Sequence, residues 1–138
     1  LALSRQGPPF GLPDFARSPW YAVLRLVAAV AGVAALGATI KCWSRMGKDW
    51  RMAVTAEPDQ PLITDGLFGR IRHPIYAFQI LLMLCTLVVV PTLPVLLIAL
   101  VHFTVMNVKA RSEERYLLQT QPDDYSQYVQ RTGRFFPR

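Results

Sequence analysis

The sequence predicts an all-α integral membrane protein with about three membrane helices. The last two are predicted to form a short hairpin that turns at prolines, followed by an amphipathic C-terminal tail in the cytoplasm. Of the 138 residues, 52% are hydrophobic and only 17% are charged, against about 45–50% and about 25% in soluble domains. The apolar residues gather into three runs, and most of the charges lie between or after these runs. This composition excludes a disordered chain, and two cysteines are too few for a disulfide scaffold.

The whole chain, residues 1–138, is expected to form one domain. Residues 1–20 form a polar N-terminal segment, and residues 21–40 form the first predicted span. Arg25 is the one charged residue in that run, which therefore has the roughly 20 residues that a membrane helix needs. Arg25 lies near the start of the run, where its side chain can reach the interface. A secretory signal is the alternative, but the segment before the run is long and contains Asp14.

The second and third apolar runs, residues 76–90 and 95–108, contain no Asp, Glu, Lys or Arg. At about 1.5 Å per residue, each helix would span roughly 20–25 Å. Pro91 and Pro94 stand between the runs, and a proline inside a helix removes a hydrogen bond and clashes with the preceding turn. Residues 75–109 are therefore predicted to form a helical hairpin, with one long kinked helix as the alternative.

Basic side chains orient the predicted spans. Residues 1–20 carry two Lys or Arg side chains, whereas the loop of residues 41–74 and the segment 109–138 carry six each. Three spans put the loop and the tail, residues 110–138, on one side, which the positive-inside rule makes cytoplasmic. Nucleic acid is not an expected partner, because the cations flank apolar runs and form no stacking platform with aromatic residues. Spaced tyrosines in the tail favour a short amphipathic helix at the interface.

A first polar cluster stands where the second span begins, at Arg72, His73 and Tyr76. A helix start at the membrane face explains much of it, since Pro74 suits the first helical position and arginine and tyrosine suit the interface. That explanation has no particular use for His73.

A second polar cluster stands where the third span ends, at Lys109, Arg111, Glu113 and Glu114. An ion pair between Arg111 and Glu114, three residues apart on a helix, would explain it as a solvated helix end. Polar residues at membrane depth are nevertheless costly and tend to face a cavity or a partner. From these residues alone, a structural and a functional explanation remain equally open. The sequence has no metal-ligand spacing, so no metal site is predicted.

These clusters resemble the isoprenylcysteine carboxyl methyltransferase family, part of a superfamily that includes the phospholipid methyltransferases. The resemblance covers roughly residues 40–138. It rests on the run 66–76 with its His-Pro-Ile-Tyr sequence, the double glutamate, the paired tyrosines at 125 and 128, and Arg-Phe-Phe-Pro at 134–137. Each motif alone is weak, and their joint order is specific.

The resemblance implies an integral membrane enzyme that uses S-adenosylmethionine to methylate a lipid-like or hydrophobic acceptor, with an isoprenylcysteine carboxylate as the first candidate. The sulfonium of S-adenosylmethionine already activates the methyl group, so transfer needs in-line positioning and no metal. Among the implied cofactor-binding residues, hydrogen-bond donors of the protein would bind the carboxylate of the cofactor. Carboxylates of the protein would bind its ribose hydroxyls or its ammonium group. These residues are Arg72, His73, Tyr76, Glu113 and Glu114. Arg111, as a grip for an anionic acceptor, and Glu114 are the predicted catalytic residues.

Two other functions stay open at this stage. The first is a nicotinamide-dependent membrane reductase, since sterol reductases share the architecture and a comparable C-terminal pattern. The second is a non-catalytic membrane subunit, favoured by Phe78, which stands where the family often has glycine. The bilayer and the acceptor are the expected partners. A second copy of the chain is a further possible partner, because Gly32, Ala35 and Gly37 would allow close helix contacts.

Overall fold

The computed structural model describes residues 10–47 and 62–138, and the regular secondary structure in these ranges is helical. The predicted all-α class is confirmed there. Two single 3₁₀ turns, Asp14–Arg17 and Gly66–Gly69, precede α1 and α2. The four α-helices are α1 (Pro19–Met46), α2 (Pro74–Val89), α3 (Leu93–Thr120) and α4 (Pro122–Arg131).

Proline marks the beginning of all four helices. Pro19, Pro74 and Pro122 are the first residues of α1, α2 and α4, and Pro94 is the second residue of α3. The first turn of a helix has amide groups without helical acceptors, so a residue that lacks this amide and has a fixed φ fits there at little cost. The helix breaks between Val89 and Leu93, so the chain forms two helices, and the single kinked helix is not observed.

The two longest helices carry the membrane character of the protein. α1 and α3 have 28 residues each, or about 42 Å, and both are long and apolar enough to cross a bilayer. Only 22% and 17% of their most apolar windows are buried inside the protein, whereas the core helix of a soluble protein is mostly buried. The predicted first span lies within α1, which continues past the apolar run to Met46. α2 is apolar but has only 16 residues.

α1 packs closely against α2 through a stripe of small residues. The buried residues of α1 include Ala28, Gly32 and Ala35, spaced three and four apart on one face. A Cβ atom built at Gly32 would lie 3.4 Å from the Cβ of Cys85 on α2, so the glycine permits the close approach. Two of the small residues considered for contacts with a second copy are thus already used within the chain. Gly37 is exposed.

The segments after α3 fold back onto the start of α2. Residues 132–136, here called the C-terminal strap, run parallel to residues 71–73 through a bridge between Ile71 and Gly133. The amide of Arg72 donates to the carbonyl of Gly133 at 2.8 Å, and the amide of His73 donates to that of Arg134 at 3.1 Å. The strap therefore fixes the backbone of the residues that begin α2.

The amphipathic helix predicted in the tail corresponds to α4. Its tyrosines, Tyr125 and Tyr128, are buried within the protein, and the hydroxyl of Tyr128 donates to the carbonyl of Phe68 at 2.6 Å. The tyrosine side of α4 thus packs on the protein itself. The part of the predicted loop at 48–61 lies outside the described residues.

Candidate active site

His73 is the centre of the polar cluster that the fold assembles. It is the residue before α2, it is buried, and both of its ring nitrogens lie near carboxylates of α3. Its Nδ1 is 3.4 Å from Oε2 of Glu113, and its Nε2 is 3.3 Å from Oε1 of Glu114. The two glutamates are adjacent and so project about 100° apart on their helix. His73 contacts both because its ring lies between them.

Two aromatic rings flank His73. The ring of Tyr76 stacks on the imidazole with centroids 5.5 Å apart and planes 6° apart, and its hydroxyl donates to Oε1 of Glu113. The ring of Phe135, from the C-terminal strap, lies 6.3 Å from the imidazole at 57°. α2, α3 and the strap thus each contribute a side chain to one cluster.

Glu114 is held by two arginines from different segments of the chain. Nε of Arg72 donates to its Oε1 at 3.1 Å, and Arg134 donates to both oxygens, Nη2 reaching Oε2 at 2.5 Å. Arg72 also donates to the carbonyls of Val129 and Thr132. The side chains of Arg72 and Glu114 are each only 11% exposed. The carboxylate of Glu114 is therefore paired inside the protein, and its arginines tie the strap to α3.

Opposite charges in this cluster shift the pKa values of its members. Burial opposes a positive charge on His73, but the carboxylates of Glu113 and Glu114 favour it and hold the pKa of His73 above its usual value. The hydrogen bonds from Arg134 to Glu114 raise the pKa of Arg134. Burial raises the pKa of Tyr128 to about 12, against a smaller opposing effect of Arg72, so this tyrosine stays protonated at neutral pH.

Glu113 is the carboxylate that faces outward. Its side chain is 30% exposed, against 11% for Glu114. One of its oxygens accepts from Tyr76 and the other lies near His73, so neighbours fix its direction while one side stays open. Of the two glutamates that the sequence could not tell apart, Glu113 is the more exposed.

Arg111 lies away from this cluster. The ion pair with Glu114, which would have explained this segment as a solvated helix end, does not form, because Glu114 pairs with Arg72 and Arg134. Arg111 is exposed and forms no ion pair within the described ranges. The structure thus brings together Arg72, His73, Tyr76, Glu113 and Glu114 and leaves Arg111 on the surface of α3.

Arg134 and Phe135 also belong to the cluster, but the sequence analysis did not predict either of them as a site residue. Both stand in the Arg-Phe-Phe-Pro motif. The only signal available was that motif, because residues 20 or more positions apart along the chain cannot be paired by helical spacing.

Two buried polar atoms of the cluster, Nε2 of His73 and the hydroxyl oxygen of Tyr125, lack a hydrogen-bond partner among the described residues. The contact of Nε2 with Glu114 is close but poorly aligned for a hydrogen bond. Residues 10–47 and 62–138 contain no group of three or more potential metal ligands.

Two long apolar helices that are mostly unburied, with a polar cluster beyond the apolar run of α3, indicate an integral membrane protein with a candidate site near the rim of its apolar region. A model of the isoprenylcysteine carboxyl methyltransferase (ICMT) family matches residues 24–119. The chain belongs to this family, which confirms the resemblance seen in the sequence. The match includes His73, Tyr76 and both glutamates, whereas the strap lies beyond it.

A curated relative is the cobalt-zinc-cadmium resistance protein CzcN of Cupriavidus metallidurans. The two proteins are 28% identical over 95 residues, which make up 67% of this chain and 44% of the relative. The chain thus matches less than half of the length of that protein.

Proposed function

We propose that this protein is a membrane methyltransferase that takes a methyl group from S-adenosylmethionine and transfers it to a hydrophobic, lipid-like acceptor. The observation that carries the proposal is the convergence of His73 and Tyr76 with the half-exposed Glu113 just beyond the apolar part of α3. Membership of a methyltransferase family supports the reaction class.

The residues present suit the cofactor's chemistry. Glu113 has an exposed side and would accept hydrogen bonds from a ribose hydroxyl or from the ammonium group. The ring faces of Tyr76 and Phe135 would favour a sulfonium cation by cation–π attraction. His73, positively charged when protonated, would attract the methionyl carboxylate. Arg72 already donates from Nε and Nη1 to protein groups, which leaves it fewer donors for this carboxylate.

Bound S-adenosylmethionine would supply an activated methyl group, and the protein would supply orientation. His73 and Tyr76 direct the carboxylate of Glu113, and Arg134 brings the strap and Phe135 over one side of the cluster. In this proposal Glu114 positions Arg72, Arg134 and His73. A catalytic role for Glu114, and the grip of Arg111 on an anionic acceptor, remain predictions.

A hydrophobic acceptor fits the surroundings of the cluster. α3 reaches the site directly from its apolar run, so a ligand with a long apolar chain could approach while still held in the bilayer. An isoprenylcysteine carboxylate is the first acceptor to test. A methyl-transfer assay with labelled cofactor against prenylcysteines, amino lipids and small thiols would identify the class.

Binding of S-adenosylmethionine to the full chain in neutral detergent, measured by titration calorimetry, tests the proposal. Glu113→Gln keeps the shape and removes the charge, and we expect affinity to fall about 10- to 100-fold, the value of a hydrogen bond to a charged group. His73→Ala should also weaken binding. Asp124→Asn, which removes an exposed carboxylate on α4, is the matched control and should bind like the wild type.

Two results would overturn this proposal. Wild-type protein that binds no S-adenosylmethionine in any lipid or detergent would exclude it. Quenching of tryptophan fluorescence by NADPH, without any response to S-adenosylmethionine, would favour a reductase.

A further inference from the structure

An open groove of about 640 Å³ lies on the far side of α3 from the His73 cluster. Among the described residues it is lined by one helix face: Val108, Arg111, Ser112, Arg115, Tyr116 and Gln119. The buried residues of α3, Ala99, Met106, Ala110 and Glu114, lie on the opposite face. This groove is therefore separate from the site proposed for the cofactor.

The groove has an excess of positive charge. Arg111 and Arg115 are four positions apart, which places their Cβ atoms about 5–6 Å from each other on one face. Both are exposed, and neither forms an ion pair with a described residue. Ser112 adds a hydroxyl between them. No described carboxylate lines the groove, so no negative charge among these residues would repel an anionic group.

The depth of the groove matches the headgroup layer of a bilayer. The apolar run of α3 ends at Val108, and Arg111 and Arg115 lie about 4 Å and about 10 Å beyond it at about 1.5 Å per residue. A polar headgroup layer is about 5–8 Å thick on each side of the hydrocarbon core. The backbone positions of the two arginines therefore bracket the level of the lipid phosphates.

An apolar track leads to the groove along the same helix face. This track, here called the valine track, consists of four exposed residues: Ile98, Val101, Val105 and Val108. They recur at three- and four-residue intervals that continue to Ser112 and Arg115. These intervals keep the residues in one line along α3. A ligand that lies on this face would therefore meet an apolar strip first and two cations at its end.

We propose that this face of α3 binds one anionic phospholipid, with its phosphate between Arg111 and Arg115 and an acyl chain along the valine track. Arginine suits this position because its planar group can donate two hydrogen bonds to one phosphate. The proposal requires only that α3 leaves the membrane near Val108. It does not depend on methyl transfer or on S-adenosylmethionine.

Native mass spectrometry of the full chain in neutral detergent, titrated with phosphatidylglycerol or phosphatidylcholine, tests the proposal. The wild type should retain phosphatidylglycerol preferentially. Arg111→Gln with Arg115→Gln should weaken this binding about 30-fold, the equivalent of about 1 kcal/mol for each basic side chain. Arg115→Gln alone should weaken it about fivefold. The control, Arg131→Gln with Arg138→Gln, removes two exposed charges from the tail and should lose less than about twofold.

Three results would overturn the proposal. Equal retention of the two lipids by the wild type would remove the preference for a net negative headgroup. Equal losses in the two double variants would show that net charge matters and not this face. Displacement of the lipid by inorganic phosphate at equal concentration would mean that the groove recognises a free anion, since phosphate has no chain for the valine track.

Discussion

Two ion pairs of the same chemical type have different importance because of their surroundings. Arg45 and Asp65 form a bidentate pair whose side chains are 56% and 59% exposed. Arg72 and Glu114 form a pair in which each is 11% exposed. Water and salt screen the first pair, so that it stabilises little. Removing one partner of the second leaves a buried charge without compensation.

The residue that this comparison singles out is Glu114. Glu114→Gln should lower the free energy of unfolding by about 3 kcal/mol, because Arg72 and Arg134 would face each other without a carboxylate between them. Asp65→Asn is the control from the exposed pair and should have little effect. Chemical unfolding in mixed micelles measures both variants. Equal stability of the two variants would contradict the structural role assigned to Glu114.

His73 should make stability depend on pH. Its pKa is raised in the folded protein above the usual value of about 6.5. Its contribution is therefore complete below about pH 6.5 and is lost as pH rises through the raised pKa. The thermal midpoint of the wild type should fall between about pH 6 and about pH 9, and that of His73→Gln should fall less. Parallel pH profiles of the two proteins would contradict this prediction.

Among the elements, the helices could be predicted from the sequence and the strap could not. Apolar runs and prolines are local signals, and they located α1, α2 and α3 to within a few residues at most boundaries. The exceptions are the ends of α1 and α3, which extend past Ile40 to Met46 and past Lys109 to Thr120, because a helix can leave the membrane without ending. The strap pairs Ile71 with Gly133, about 60 positions apart, and no periodicity in either segment indicates the partner.

The same reasoning explains which part of the site was predictable. The His-Pro-Ile-Tyr and double-glutamate motifs indicated residues that the fold brings together, but which of Glu113 and Glu114 is buried depends on Arg134. That arginine reaches the cluster only because the strap folds back. Side chains whose neighbours come from a distant segment have surroundings that spacing cannot reveal.

Gly133 is the residue of the strap that tolerates no side chain. A Cβ atom there would overlap the carbonyl oxygen of Phe136, so Gly133→Ala must shift the backbone and should cost about 1–3 kcal/mol. Gly37→Ala is the matched control. Gly37 lies within α1 with nothing within 4 Å of its added Cβ, so alanine should stabilise the helix by up to about 1 kcal/mol. Chemical unfolding should show opposite signs for the two changes in the free energy of unfolding, and a neutral Gly133→Ala would contradict the close contact with the carbonyl of Phe136.

For the whole molecule, the number of crossings depends on α2. Its 16 residues extend about 24 Å, less than the roughly 30 Å of a hydrocarbon core. The charge pattern favours a crossing by α2, because otherwise the two basic segments would lie on opposite sides. We therefore propose three crossings, with residues 41–74 and 110–138 in the cytoplasm.

Labelling by a membrane-impermeant maleimide tests this arrangement in a background of Cys42→Ala and Cys85→Ala. Thr92→Cys, between α2 and α3, should react from the outside of sealed cells. Gln127→Cys, exposed on α4, should react only after the cells are opened. Reaction of both positions from the same side would show that α3 does not cross the bilayer between them.

The pairing of the strap with the start of α2 has a consequence for biosynthesis. The ribosome makes Arg134 after the residues of all three apolar helices, so these helices can enter the membrane while Glu114 still lacks one of its two arginines. At about 5–20 residues per second, the roughly 60 residues from Arg72 to Arg134 take several seconds to translate. Glu114 itself is made 20 residues before Arg134, about one to four seconds earlier at that rate, so the cluster can close only after the strap has been made.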